Sequence, residues 1–118
     1  MLAMRKIHED KRGEIYIITG DLKDDEITIF TCKKGMARGG CIHNLNDEYF
    51  VVLEGIIKYK IGDDVEIFRK GMSGMIPAGT PHYFIAQVDS IVAEWGATIA
   101  EKQEKHKETR KIVEGING

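Results

Sequence analysis

Between residues 14 and 95 the chain alternates short apolar runs with turn residues, which predicts an all-β domain and not a helical or βαβ one. The first run covers residues 14–19 and ends at Gly20-Asp21; the second covers 26–32, and Lys33-Lys34-Gly35 turns the chain. Residues 38–43 read as a strand of mixed polarity interrupted by Gly39 and Gly40, where a backbone or a ligand can come close. After loop residues 44–47, a continuous apolar run at 48–53 ends at Gly55, and Ile57, Tyr59 and Ile61 then alternate with Ile56, Lys58 and Lys60. Gly62-Asp63-Asp64 closes a hairpin onto 65–68. A short strand at Met75-Ile76, one at 82–88 and one at 90–95 complete the pattern, and some nine short strands at this spacing predict a sandwich or barrel.

The tail follows another rule. Thr98 with Glu101 three residues later is a capping box, and Gly115 stands where a C-cap belongs, so a helix is expected over 99–114. Nothing between Glu101 and Lys111 is strongly apolar, so this helix is expected to be solvated, touching the domain only through Ile99, Ile112, Val113 and Ile116. The expected division is a barrel domain over 1–97 and a helical tail over 98–118.

With 118 residues the chain suits one domain, and a formal charge of −2 with interspersed signs excludes the footprint of a nucleic-acid binder. Neither a signal-peptide core nor a run long enough to span a membrane is apparent, and Cys32 and Cys41 are expected to be free thiols in the cytoplasm.

The chemistry gathers in two places. If residues 38–43 form a strand, Cys41 and His43 project to one side, and a reversal through the next loop brings Glu48 beside them. Thiol, imidazole and carboxylate are ligands for a divalent transition metal, and His82 can complete the set. Taken singly, each histidine reads first as a hydrogen-bonded core residue, a commoner role than that of a ligand. Tyr59 and Tyr83 read as barrel or interface aromatics, Tyr59 sharing a face with Ile57 and Ile61. Phe84 shares parity with His82 and is expected to form an apolar wall, while Trp95 is expected to pack, with a dimer contact as one setting for it.

These residues resemble a known family. Gly35, five residues, Cys41-Ile42-His43, four residues, Glu48, six residues and Gly55 is similar to the first cupin motif, with Cys41 where the family usually has its first histidine. Gly71, five residues, Pro77-Ala78-Gly79, two residues and His82 is similar to the second, with Ala86 where an asparagine often stands. The resemblance implies a small RmlC-like jelly-roll barrel, a double-stranded β-helix, followed here by the C-terminal helix. It also implies a metal site of His43, Glu48 and His82 with Cys41 as fourth ligand, the metal being Zn, Fe, Mn or Ni, and a homodimer as in many relatives. Asp10-Lys11-Arg12-Gly13 before a strand, and Arg38-Gly39 shortly before Cys41, are further similar to cupin sugar-nucleotide epimerases and ketoisomerases. That likeness implies a sugar or sugar nucleotide bound by Arg38, with proton transfer by His43 or Cys41, while Tyr59 and Phe84 are expected to bind it from the pocket wall by their strand parity. Iron-dependent oxygenation and ligand binding without turnover are the alternatives.

Overall fold

The computed structural model describes residues 3–19, 27–97 and 105–118. The described strands are β1 (Ala3–Asp10), β2 (Gly13–Thr19), β3 (Ile27–Cys32), β4 (Ala37–Gly39), β5 (Glu48–Glu54), β6 (Ile56–Ile61), β7 (Asp64–Arg69), β8 (Ser73–Ile76), β9 (His82–Ala86) and β10 (Ser90–Trp95), and the described helix is α1 (Lys107–Asn117). They form a six-stranded sheet in the order β1-β2-β3-β10-β5-β8 and a four-stranded sheet in the order β4-β9-β6-β7, every pairing antiparallel.

The barrel interior follows from period-two alternation. On β5 the buried positions are Glu48, Phe50 and Val52; on β9, His82, Phe84 and Ala86; on β6, Ile57 and Tyr59; on β10, Ser90, Val92 and Glu94 alternate and Ala93 is buried as well. Phe50 joins the sheets, its ring 4.6 Å from Tyr59 and 4.9 Å from Phe68 in an edge-on contact. On β7 only Phe68 is buried, and Val65 and Ile67 face outward. No described helix is long and apolar enough to cross a membrane.

Three expectations change. β1 was not anticipated: its residues Met4 to Glu9 are all exposed, so no apolar face announces it, and it is held by its ladder to β2. The strand expected over 38–43 stops at Gly39, and Cys41 keeps only an isolated antiparallel bridge to Lys105.

The helix begins at Lys107 and runs past Gly115; the capping box at Thr98 and Glu101, like Ile99, lies outside the described residues. His106 is the N-cap, its ring accepting from the Thr109 N–H, and Gly118 (φ 86°) is the C-cap. The helix is also docked and not merely solvated. Thr109 and Val113 are buried, and the Asn117 side chain accepts from the Ala37 N–H at 2.7 Å and donates to the Ala37 carbonyl at 3.0 Å. Asn117 thereby supplies edge strand β4 with the pairing that a further strand would have given.

Candidate metal centre

Two glycines end β4 and bend the chain into the site. Gly39 (φ 125°) lies so close to β9 that a Cβ would sit 2.8 Å from the His82 carbonyl oxygen, and Gly40 (φ 89°) faces Arg110 of α1. Beyond them the chain is irregular as far as Asp47, so strand parity does not apply to Cys41 and His43. His43 is fully buried and Cys41 half-buried. Tight backbone clamps then join the two motif segments: the Gly79 N–H donates to the His43 carbonyl at 2.6 Å, the Ala78 N–H to Asp47 Oδ1 at 2.9 Å, and the Gly40 N–H to the His82 carbonyl at 3.1 Å.

The result is a cluster of His43, Glu48 and His82, all buried, in which one ligand atom from each lies within 4.8 Å of the others. The imidazole centroids are 5.0 Å apart, and His82 Nε2 is 3.8 Å from Glu48 Oε1. His43 Nδ1 meets the Asn46 carbonyl at 2.8 Å and His82 Nδ1 meets the Thr80 carbonyl at 2.8 Å. A carbonyl oxygen only accepts, so each Nδ1 carries a proton, which in neutral imidazole leaves the lone pair on Nε2. Backbone partners that orient histidines this way are the usual outer support of metal ligands. His43 Nε2 is buried and has no hydrogen-bond partner among the described residues. Two inward imidazole nitrogens with one carboxylate suit a divalent transition metal. Cys41 is not a member of this cluster.

Beside the cluster lies a cavity of about 390 Å³. Glu48, His82, Tyr59, Phe84, Arg38 and Cys41 line it, whereas His43 does not. The Tyr59 O–H donates to Glu94 Oε1 at 3.2 Å, and burial, then the charges of Glu94 and Glu48, push its pKa well above the ordinary phenol range. Tyr59 is therefore a neutral donor at physiological pH. Arg38 is almost wholly buried; its Nε and Nη2 donate to the Thr31 carbonyl at 3.1 and 3.0 Å, and its guanidinium lies 5.5 Å from the Phe30 ring centre. Desolvation lowers its pKa from the usual arginine value, with the Arg12 charge the next cause. Arg12, the other arginine singled out in the sequence, is engaged by Asp10 at 2.6 Å.

Glu94, Lys105 and Arg110 also line the cavity and were not singled out in the sequence. For Glu94 a signal existed: it lies in phase with Ser90 and Val92 on an otherwise apolar strand, a charge at a core position. Lys105 and Arg110 carry no such mark, because their place depends on the docking of α1.

A family model for the cupin domain matches residues 29–100. Among solved structures, the chain is similar to KdgF from Halomonas sp. (TM-score 0.69, 14% identity, covering 80% of this chain and 86% of that one). It is also similar to an RmlC-like cupin protein from Desulfovibrio desulfuricans (TM-score 0.57, 28% identity, 81% of each chain). A third likeness is to a sugar phosphate isomerase of the cupin superfamily from Silicibacter pomeroyi (TM-score 0.61, 18% identity, 71% of this chain and 59% of that one). No curated protein matches the chain.

Proposed function

We propose that this chain, which belongs to the cupin domain family, binds a divalent transition metal through His43, Glu48 and His82 and holds a small polar ligand in the adjoining cavity. The observation that carries the reading is the His43 Nε2 atom, buried and without a hydrogen-bond partner among the described residues, beside a second imidazole and a carboxylate. Such an orphaned group costs about 1–3 kcal/mol, and a metal ion at the cluster removes that cost. Zinc, iron, manganese and nickel all accept this donor set. Cys41, which lines the cavity but is not part of the cluster, is assigned to proton transfer and not to a fourth ligand position.

The reaction we propose is isomerisation or epimerisation of a sugar or sugar derivative. A metal bound here would polarise a carbonyl oxygen of the ligand. The protein's own groups do the rest: a base takes the proton from the carbon next to that carbonyl and returns it, Phe84 covers the ligand, and Tyr59 offers its O–H. Cys41 is better placed as that base than His43, which does not line the cavity. The fold-level likeness to a protein described as a sugar phosphate isomerase supports this choice. Two histidines and one carboxylate also serve non-haem iron, so oxygenation is the second reading, recognised by copurifying iron and oxygen uptake. Ligand binding without turnover would mark a non-catalytic cupin. We further propose a cytoplasmic homodimer that uses the outward-facing stack of Tyr49 on Trp95.

The test is elemental analysis of the wild type beside His43→Ala and His82→Ala. The reading predicts stoichiometric metal in the wild type and little in either variant; equal content in all three would remove the site.

A further inference from the structure

Strand β1 carries one irregularity. Arg5 and Lys6 stand opposite Ile17 and Tyr16 of β2, His8 stands opposite Ile15, and Ile7 is the extra residue of a β-bulge between them. A bulge re-aims a side chain, and here Ile7, 42% exposed, forms part of the wall of the cavity beside the metal cluster. Ile15, which pairs in register with Phe30 of β3, lines the same cavity, and so does Phe30. One exposed isoleucine on an edge strand is ordinary. Three apolar side chains from three neighbouring strands, gathered on a concave wall continuous with Glu48 and His82, are not.

The charges on that wall are turned to each other. His8 Nε2 donates to Asp10 Oδ2 at 2.9 Å, and Arg12 donates to the same oxygen through Nε at 3.0 Å and Nη2 at 2.6 Å. What β1 and β2 offer the cavity is therefore mainly hydrocarbon. In the strand order this hydrocarbon lies on the far side of β10 from Glu48 on β5, so the cavity has an apolar shelf facing away from its metal-binding side.

We infer that the cavity takes a two-part ligand: a polar head at Glu48 and His82, and an uncharged apolar body, a ring or a short hydrocarbon chain, lying on Ile7, Ile15 and Phe30. Within the proposed reaction this means a sugar that carries an apolar substituent. The inference rests on reading the cavity as the ligand site, but not on a metal being bound. A small molecule is the fitting occupant, because about 390 Å³ falls among small-molecule sites, whereas a second copy of the chain would need a broad face of about 800 Å². Covering the shelf removes apolar surface from water, which favours binding without a further charge.

The test uses the full chain, stripped of metal with EDTA and labelled with ¹³C in the isoleucine δ1 methyl groups and the aromatic rings. 2-Phenylethanol, an uncharged ring with a hydroxyl head, is titrated in, and separately glycerol, which has hydroxyls without the ring. Saturable shifts at Ile7, Ile15 and Phe30 are expected with 2-phenylethanol and not with glycerol. Ile7→Thr keeps a β-branched residue on an exposed strand and should weaken the midpoint read at Ile15 about fivefold. Ile67→Thr, on the outward face of β7, should leave that midpoint unchanged. No saturable shift at Ile7 and Ile15, an equal response to glycerol, or an unchanged midpoint in Ile7→Thr would overturn the inference. Shifts that follow protein concentration and not the probe would also overturn it, by assigning the shelf to a second copy. A response at Tyr59 and Phe84 alone would remove the shelf while keeping the cavity as a ligand site. Metal content is not read in this experiment, so the shelf and the metal centre fail or stand separately.

Discussion

The two ends of the barrel interior are built from the same strands and have opposite chemistry. β5 runs from Glu48 through Phe50 to Val52 and β9 from His82 through Phe84 to Ala86, so these inward rows have a polar and an apolar end, while on β10 Val92 lies between Ser90 and Glu94. At the apolar end Phe50, Phe68, Ile57 and Val52 bury hydrocarbon against hydrocarbon. At the other end carboxylates, imidazoles and a guanidinium are buried, and His43 Nε2 has no hydrogen-bond partner among the described residues, an arrangement that costs stability. Strand periodicity decides which side chains point inward. The position along the strand decides whether they hold the fold or serve the site.

The largest predicted effect lies at the apolar end. Phe50→Ala should cost about 3–5 kcal/mol in chemical denaturation and leave metal content unchanged where the protein is still folded. Loss of metal without loss of stability would erase the distinction between the two ends.

Next is the edge that α1 covers. Asn117→Ala removes both hydrogen bonds to Ala37 and leaves an N–H and a carbonyl of β4 unpaired, with a cost of about 1–2 kcal/mol. Hydrogen exchange should quicken at Ala37 while Phe84 and Val92 keep their protection.

The smallest effect lies at the turn between β1 and β2. Hydrogen bonds from Arg12 hold the Asp10 carboxyl well below the ordinary carboxylate range. A folded-state pKa lowered in this way stabilises the protein above the unfolded value of about 4, and the benefit is lost as pH falls through the folded value. Because Asp10 is partly exposed, Asp10→Asn should cost about 1 kcal/mol or less at neutral pH. The gap from wild type should narrow as the pH is lowered below about 4. A constant gap in denaturation curves across that range would show that the pair contributes through packing and not through charge.

Much of this was legible in the sequence where period-two alternation and turn glycines act together. The hairpin of β6 and β7 and the inward row of β9 follow from such local signals, whereas the set of His43, Glu48 and His82, which the structure brings together, was what the likeness to the two cupin motifs implied. What stayed hidden depends on contacts between distant segments. β1 sets exposed Met4 and Ile7 among charged residues with no buried apolar row, and exists through its ladder to β2. Cys41 could not be placed by strand parity because Gly39 and Gly40 end β4 first. The helix has weak apolar content and is seated by Asn117, Arg110 and the His106 N–H on the β4 segment, pairings that carry no pattern along the chain. Glu94 was readable in principle, as a charge in phase with Val92, and its meaning emerges only beside Tyr59.

The central claim is that His43, Glu48 and His82 act together as one metal centre. Its most direct test is the thermal unfolding of EDTA-stripped wild type and Glu48→Gln during titration with zinc or manganese. The metal centre predicts a rise in Tm in the wild type, worth about 3 kcal/mol at a hundredfold excess over Kd, and a flat response in Glu48→Gln. An equal rise in both proteins, or none in the wild type with either ion, would contradict it.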